Sequence, residues 1–513
     1  MHGQNYVIWR IRVETCAGAS NLYGKRILSE PHSRPAPNAD PNGRRRNIAR
    51  FRIHGQNSAK DCPVQSSNVG TVVSESKLNR KQIAVLAMCC ALMAIDGYDV
   101  VAYGTVLPFL MTEWGLDVVT GGTLGSIALV GLLVGGLFVS PWADRVGRRP
   151  LTVASLVVGS CASFLCAFAE STGTLGPLRF CVGVALGALV PNMLALVGEC
   201  SPAKYKAMFV STVSAFYCMG GVAAAVVAIK IEPVWSWRGV FYLAAVPLLL
   251  VPVLLRWLPE SPEYLAVRGR HEELRTVLQK IAPDTADRFS PVMKQPRRVS
   301  ENNIRLLFTN SNFYKSALIW TFFAMCMLLS YGLNTWLPKL MQTAGYELGS
   351  ALWTLVTLNA GGFVGGIFGG WIAGRTSYRS TLVAYFCLAV LSLGALSFNP
   401  PVLLLNTALF LAGAASIGTL AIVHAFAVEY YPAGVRSTGV GWASGIGRLG
   451  AIAGPALGGG LLGLGLSFQQ NFLLVAIPGV IGAAAVATLA RTRFTMPSAS
   501  DDENATFPVV EHM

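Results

Sequence analysis

From Ile83 to Ile95 the chain runs for thirteen residues without a charge, and after a short polar interruption it is apolar again from Val100 to Met111. Runs of this length recur along the chain. A helix needs about 20 apolar residues to cross the hydrocarbon core of a bilayer. We count twelve such segments, near 83–111, 121–142, 149–169, 174–197, 207–229, 238–258, 313–340, 349–374, 379–397, 401–428, 437–464 and 469–490. Inside lipid every backbone N–H and C=O must be satisfied within the structure, which leaves only helices or closed barrels. The runs are long and rich in Gly and Ala, whereas a barrel would show short strands of alternating polarity. The expected fold class is therefore an all-α membrane protein of twelve transmembrane helices. Composition agrees, with 53% of residues hydrophobic, 13% charged and a mean hydropathy of +0.50.

The polar interruption in the first run holds Asp96 and Asp99. A carboxylate at the bilayer centre costs about 2.5–3.5 kcal/mol on insertion scales, so intramembrane acids face a bundle interior or a watery cavity. The i, i+3 spacing puts both on one side of a helix. Either they are structural, bonded to neighbouring backbone or to an arginine, or the pair exchanges a proton between the two sides of the membrane. The second reading makes them a proton or cation site in a transporter.

The formal charge of +14 could suggest nucleic acid, but its distribution argues otherwise. Residues 1–70 hold 11 Lys/Arg against 4 Asp/Glu. The other basic residues sit mainly in alternate loops: Arg145, Arg148 and Arg149; Lys204 and Lys206; the 256–312 segment; Arg375 and Arg379; Arg436; Arg491 and Arg493. This is the positive-inside pattern, and it places both termini in the cytoplasm. Residues 1–78 read as a disordered basic tail, with lipid contact by its arginines as the alternative. The cysteines, including Cys89, Cys90, Cys218 and Cys326, show no C-x-x-C pairing and read as small apolar fillers.

Shifting the chain by 230 residues reveals an internal repeat. Leu107-Pro108 falls on Leu337-Pro338, Gly135-Gly136 on Gly365-Gly366, Arg145 on Arg375, and Glu199-x-x-Pro202-Ala203 on Glu429-x-x-Pro432-Ala433. The organisation expected is two six-helix pseudo-repeated halves, 79–258 and 313–493, joined by a cytoplasmic linker at 259–312, with a disordered tail at 494–513.

Several local patterns carry a resemblance. Asp144-Arg145-x-Gly147-Arg148-Arg149 after the second span, Arg179 followed by Gly183, Gly187 and Pro191 in the fourth, and Pro259-Glu260-Ser261-Pro262-Glu263 after the sixth resemble motifs of the major facilitator superfamily. Asp96-Gly97-Tyr98-Asp99, Pro191-Asn192 with Glu199, Tyr331-Gly332-Leu333-Asn334-Thr335-Trp336, and the stretch from Arg436 to Arg448 resemble its aromatic acid:proton symporter family, the 4-hydroxybenzoate and benzoate transporters. The resemblance implies the major facilitator fold, a substrate held between the halves, and importance for Asp96, Asp99, Asp144, Arg179, Arg436 and Arg448. Ser140 and Gly374 depart from the loop pattern, which suggests an intact gate in the first half and a weakened one in the second.

The repeat also sorts the charges. Glu199/Glu429 and Arg145/Arg375 occur in both halves, so with Asp144, Arg148 and Arg436 they are expected to pin helix ends and gate the cytoplasmic side. Asp96, Asp99, Arg179, His424 and Arg448 have uncharged repeat partners, which suggests substrate and coupling. Arg179 and Arg448 can hold a carboxylate by two parallel hydrogen bonds, or can form internal ion pairs. His424 suits proton transfer or is a packing residue. Tyr98, Tyr331 and Trp442 are candidates to stack on a substrate ring, and Asn334 to bond a ring hydroxyl.

The reading is import of an aromatic carboxylate with protons, by a monomer in a bacterial inner membrane, without cofactor, metal or nucleic acid. A non-aromatic organic acid or sugar acid is the nearest alternative, and a non-transporting receptor for aromatic acids another. His424 and Glu429 do not form H-E-x-x-H, and no G-x-S-x-G or phosphate loop is present, so enzyme chemistry and ATP-driven transport are not expected.

Overall fold

The computed structural model describes residues 69–286, 307–398, 400–432 and 435–489, and every regular element among them is helical. We label the long helices α1 (Arg80–Trp114), α2 (Val118–Val146), α3 (Arg148–Cys166), α4 (Thr172–Glu199), α5 (Ala203–Trp235), α6 (Arg238–Trp257), α7 (Asn310–Thr343), α8 (Leu348–Arg375), α9 (Tyr378–Leu396), α10 (Val402–Tyr430), α11 (Arg436–Gly463) and α12 (Phe468–Leu489). Eleven are long and apolar enough to cross a membrane. The exception is α11, whose 28 residues include ten glycines and Arg448, so it is long enough but less apolar. Its glycines let one side lie close against α7 and α2, where Gly450 meets the Ala324 carbonyl and Gly459 that of Val118.

Local chemistry fixes the ends. Asn79 and Gln82 form a capping box at the start of α1, and Gly115 closes that helix in the left-handed conformation at φ 59°. The Asp117 side chain accepts from the backbone of Val119 and Thr120 to start α2. Pro108, Pro177, Pro191 and Pro338 lie inside helices, as transmembrane bundles tolerate.

The repeat is visible in three dimensions. Helix starts at 80 and 310, 118 and 348, 148 and 378, 172 and 402, and 238 and 468 are each separated by 230 residues. The fifth pair, 203 and 436, departs by three. Packing repeats as well. Gly220 of α5 faces the carbonyl of Ala94 on α1, and its repeat partner Gly450 of α11 faces that of Ala324 on α7. Gly131 and Gly183 let α2 and α4 meet backbone to backbone, and Gly361 and Gly413 do the same for α8 and α10. Without a hydrophobic force between helices in lipid, such close approach is what holds them together. A Cβ on Gly183 would run into the carbonyl of Ala128. Gly183→Val is therefore expected to destabilise the protein by about 1–3 kcal/mol or more, measured as a lower melting temperature in detergent. Gly349→Ala, where a Cβ meets nothing within 4 Å, should leave that temperature unchanged.

The chain does not become irregular where the tail was expected to end. Residues 1–68, like 490–513, lie outside the described residues, but Val69–Ser74 is a short helix. Its Val69, Val72 and Val73 bury in one apolar cluster with Leu274, Leu278 and Ile281 of the linker helix His271–Ile281. The Thr285 hydroxyl donates to the Val72 carbonyl at 2.7 Å, and Asn79 Nδ2 donates to Ile281 O at 2.7 Å. The expected tail thus gives way at 69–78 to a clasp on the linker, because three valines at helical spacing present an apolar face.

Candidate functional site

On α1, Asp96 and Asp99 are 3% and 2% exposed, so both face protein rather than lipid. They look at different neighbours. Asp99 Oδ1 accepts from the Ser163 hydroxyl of α3 at 2.5 Å, and its backbone carbonyl accepts from Arg179 Nη2 of α4 at 3.2 Å. Asp96 feels the charges of Asp99 and of Arg448 on α11, and lies within reach of the Tyr217 and Tyr331 hydroxyls electrostatically. Its Oδ1 has no hydrogen-bond partner among the described residues. Three residues of helix turn the chain by 300°, which splays the two carboxyls by about 60°. Asp99 therefore bonds groups of the first half, on α3 and α4, while lying beside a cavity that Tyr331 of α7 also lines.

Arg179 is 2% exposed, with its guanidinium 5.4 Å from the Tyr103 ring and 5.9 Å from that of Phe241. Its Nε and Nη1 have no hydrogen-bond partner among the described residues. A small cavity beside it is lined by Asp99, Tyr103, Tyr331 and Thr335, with Gly125 and Gly183 on the walls. Unused donors on a permanent cation beside a cavity have the chemistry to take an anion.

Arg448 crosses the seam. Its Nη1 donates to the Leu132 carbonyl of α2 at 2.6 Å, and the guanidinium occupies the place where a side chain on Gly136 would be. Gly135–Val139 is a π-helical segment. Such a bulge shifts the hydrogen-bond ladder and is frequent at functional sites. Ser126 of α2 also bonds the Ile452 carbonyl of α11. Toward the end that carries the basic loops, Gly441 and Gly445 of α11 meet nothing within 4 Å.

The other candidates separate. Tyr331 joins the central group, its ring centroid 6.4 Å from that of Tyr217. Tyr98 points elsewhere, donating to the Val240 carbonyl of α6 at 2.7 Å, because two residues past Asp96 the helix presents its other side. Trp442 is 42% exposed and stacks on Trp320 toward the basic end, centroids 5.8 Å apart. His424 Nδ1 lies 2.8 Å from the Leu420 carbonyl and Nε2 lies 3.4 Å from Ser444 Oγ. A carbonyl only accepts, so Nδ1 carries a proton and the ring is tied to its own helix. His424→Gln is accordingly expected to keep concentrative uptake within about twofold of wild type; loss of its pH dependence would instead give the ring a coupling role. Asn334 is buried on α7, where it accepts from Asn359.

At the basic end of the first half, Arg148 Nη2 pairs with Glu199 Oε1 at 2.8 Å and Glu199 accepts from Ser261. Glu260 caps the start of α3, its Oε1 accepting from the backbone N–H of Arg148 and Arg149. Arg268 donates to the carbonyls of Asp144 and Arg145. The carboxylate of Asp144 is exposed and makes no hydrogen bond or ion pair among the described residues. In the second half Tyr378 replaces Arg148, Glu429 is exposed, and Arg436 donates to the Tyr431 carbonyl. Among the described residues, the loop network is thus built in the first half. Sequence reasoning missed Ser163, Tyr217, Gly136 and Asn359. For Tyr217 and Asn359 a signal existed, since each is a polar group in a span whose repeat partner, Gly447 or Leu129, is not.

Twelve long helices among the described residues, in two repeated sets with charged side chains near where the sets meet, are organised as parallel-repeat transporters are. The model of the Major Facilitator Superfamily matches residues 87–455. The chain belongs to the major facilitator superfamily. Among curated relatives, the benzoate transport protein of Acinetobacter baylyi is 35% identical over 84% of this chain and 94% of that protein. A 4-hydroxybenzoate transporter of Pseudomonas aeruginosa is 32% identical over 84% of this chain and 97% of its own. The crystal structure of a bacterial homologue of the human lysosomal transporter Spinster matches with a TM-score of 0.64, covering 82% of this chain and 100% of that one. At 17% identity that likeness bears on the fold alone. The protein is thus a multi-pass membrane transporter, not an enzyme.

Proposed function

We propose that this transporter imports an aromatic carboxylate of the benzoate and hydroxybenzoate class, together with protons, across a bacterial inner membrane. The observation that carries the reading is the set of buried Asp96, Asp99 and Arg179 with half-buried Arg448 around Tyr331 and Tyr217, near the meeting of the two halves. The names of the two curated relatives support the substrate class. An arginine holds the carboxylate through parallel hydrogen bonds. The tyrosine rings offer faces to the aromatic ring. A proton on the aspartate pair offsets the substrate's charge, since no ATP-binding loop is present to drive transport.

Residues 79–258 and 313–493 act as the two bodies that rock about this site. The basic loops and both termini lie on the cytoplasmic side, by the positive-inside rule. The contacts of Arg448 and Ser126 across the seam and the open α11 surface toward the basic end then correspond to a state closed outside and open inside. One chain carries the whole site, so the working unit is a monomer. Competition tests the substrate class. Unlabelled benzoate should suppress uptake of labelled 4-hydroxybenzoate, while aliphatic and sugar acids should not. Suppression by sugar acids and not by benzoate would replace the aromatic reading.

A further inference from the structure

One turn further from the basic end than the Tyr217–Tyr331 pair lies a second polar pair. Asn334 is three residues beyond Tyr331 on α7, and Asn359 of α8 donates from Nδ2 to Asn334 Oδ1 at 2.8 Å and to the Leu355 carbonyl at 3.0 Å. Asn334 in turn donates to the Ser330 carbonyl at 2.8 Å. Both side chains are buried, Asn359 completely. The network fixes the amide orientation, because a flipped Asn359 would set its oxygen against two acceptors. Its Oδ1 consequently points away from α7 and has no partner among the described residues.

What it points at is the other half. Gly221 on α5 is four residues, one turn, beyond Tyr217, and a Cβ there would meet the Asn359 amide and Val101 of α1. Asn359 thus presents a free acceptor at the junction of α1, α5, α7 and α8, into space kept by a glycine. The feature belongs to one half only: the repeat partners of Asn334 and Asn359 are Gly104 and Leu129. Native proteins rarely leave a buried carbonyl unpaired, and such a group calls for a donor that arrives in another state.

We propose that Asn359 Oδ1 is a specificity-determining acceptor for the ring hydroxyl of a hydroxylated aromatic acid. The inference rests on the substrate class proposed above. The two polar pairs are about 4.5 Å apart along α7, three residues of helix, comparable with the span of a benzene ring. A ring lying between the tyrosines, with its carboxylate toward the arginines and Asp96, therefore brings a hydroxyl on its far side to Asn359 once the junction parts. Benzoate lacks that donor and leaves the acceptor unused.

The test is the ratio of half-saturating concentrations for 4-hydroxybenzoate and benzoate, measured in cells with wild type and with Asn359→Leu, the residue at the repeat position. The expected result is a rise of about tenfold or more in that ratio, as for a site losing a hydrogen bond to a substrate hydroxyl. An unchanged ratio, whether both values rise together or neither moves, overturns the assignment and leaves Asn359 a packing residue. If Asn359→Leu does not reach the membrane, Asn359→Val is read in the same way. Absence of uptake of either acid by wild type would overturn the substrate class and this inference with it; uptake of both with an unchanged ratio in the variant overturns the inference alone.

Discussion

Asp99→Asn is expected to reach the membrane in normal amount and to abolish uphill accumulation, a loss of at least about tenfold in the concentration ratio held across the membrane. The carboxyl of Asp99 is buried and accepts from the Ser163 hydroxyl at 2.5 Å. An asparagine has the same shape, and its Oδ1 can accept the same bond, so the packing of α1 against α3 survives. The contact with Arg179 survives too, because it runs through the Asp99 backbone carbonyl. What the amide cannot do is take up and release a proton, and a coupling carboxylate has no other route to the ion gradient. Substrate exchange between preloaded and external pools needs no net proton movement and should persist. Full accumulation by Asp99→Asn would remove the residue from coupling and leave it a helix-packing group.

Arg448→Lys is expected to raise the half-saturating concentration about tenfold or more, roughly 1.4 kcal/mol of lost binding, with a smaller effect on the maximal rate. The guanidinium holds the Leu132 carbonyl with one nitrogen and lies at the seam where Asp96 feels its charge. A planar fork can keep that bond while offering its other donors to a carboxylate, whereas an ammonium is a compact point charge that cannot reproduce the geometry. The same account extends to Gly136. A side chain there would occupy the space of the guanidinium, so Gly136→Val should expel it and reproduce the weaker binding with Arg448 still present. An unchanged half-saturating concentration in Arg448→Lys would mean the arginine serves only to join α2 to α11.

Much of this was legible in the sequence. The spans followed from apolar length, and the 230-residue register anticipated helix starts such as 148 and 378. It succeeded because each helix packs through small residues at fixed positions, as Gly220 and Gly450 do against Ala94 and Ala324. The central charges were also legible, since an intramembrane Asp or Arg is costly wherever it sits. Direction was not. Periodicity puts Tyr98 beside two key aspartates, yet two residues of helix carry it round to Val240. Trp442 sits six residues from Arg448 but looks to Trp320. Asn359 escaped because a lone amide is inexpensive in a helix. Its meaning comes from the missing side chain of Gly221 on a helix more than a hundred residues away. The clasp at 69–78 escaped because its three valines acquire a face only when the linker helix is there to cover them.

The central claim is proton-coupled import of an aromatic carboxylate. The direct test is uptake of radiolabelled 4-hydroxybenzoate by cells making the protein, with and without a protonophore, against cells that lack it. The account predicts accumulation above the external concentration that collapses when the protonophore is added. Accumulation that ignores the protonophore, or no uptake with the protein present in the membrane, would contradict it.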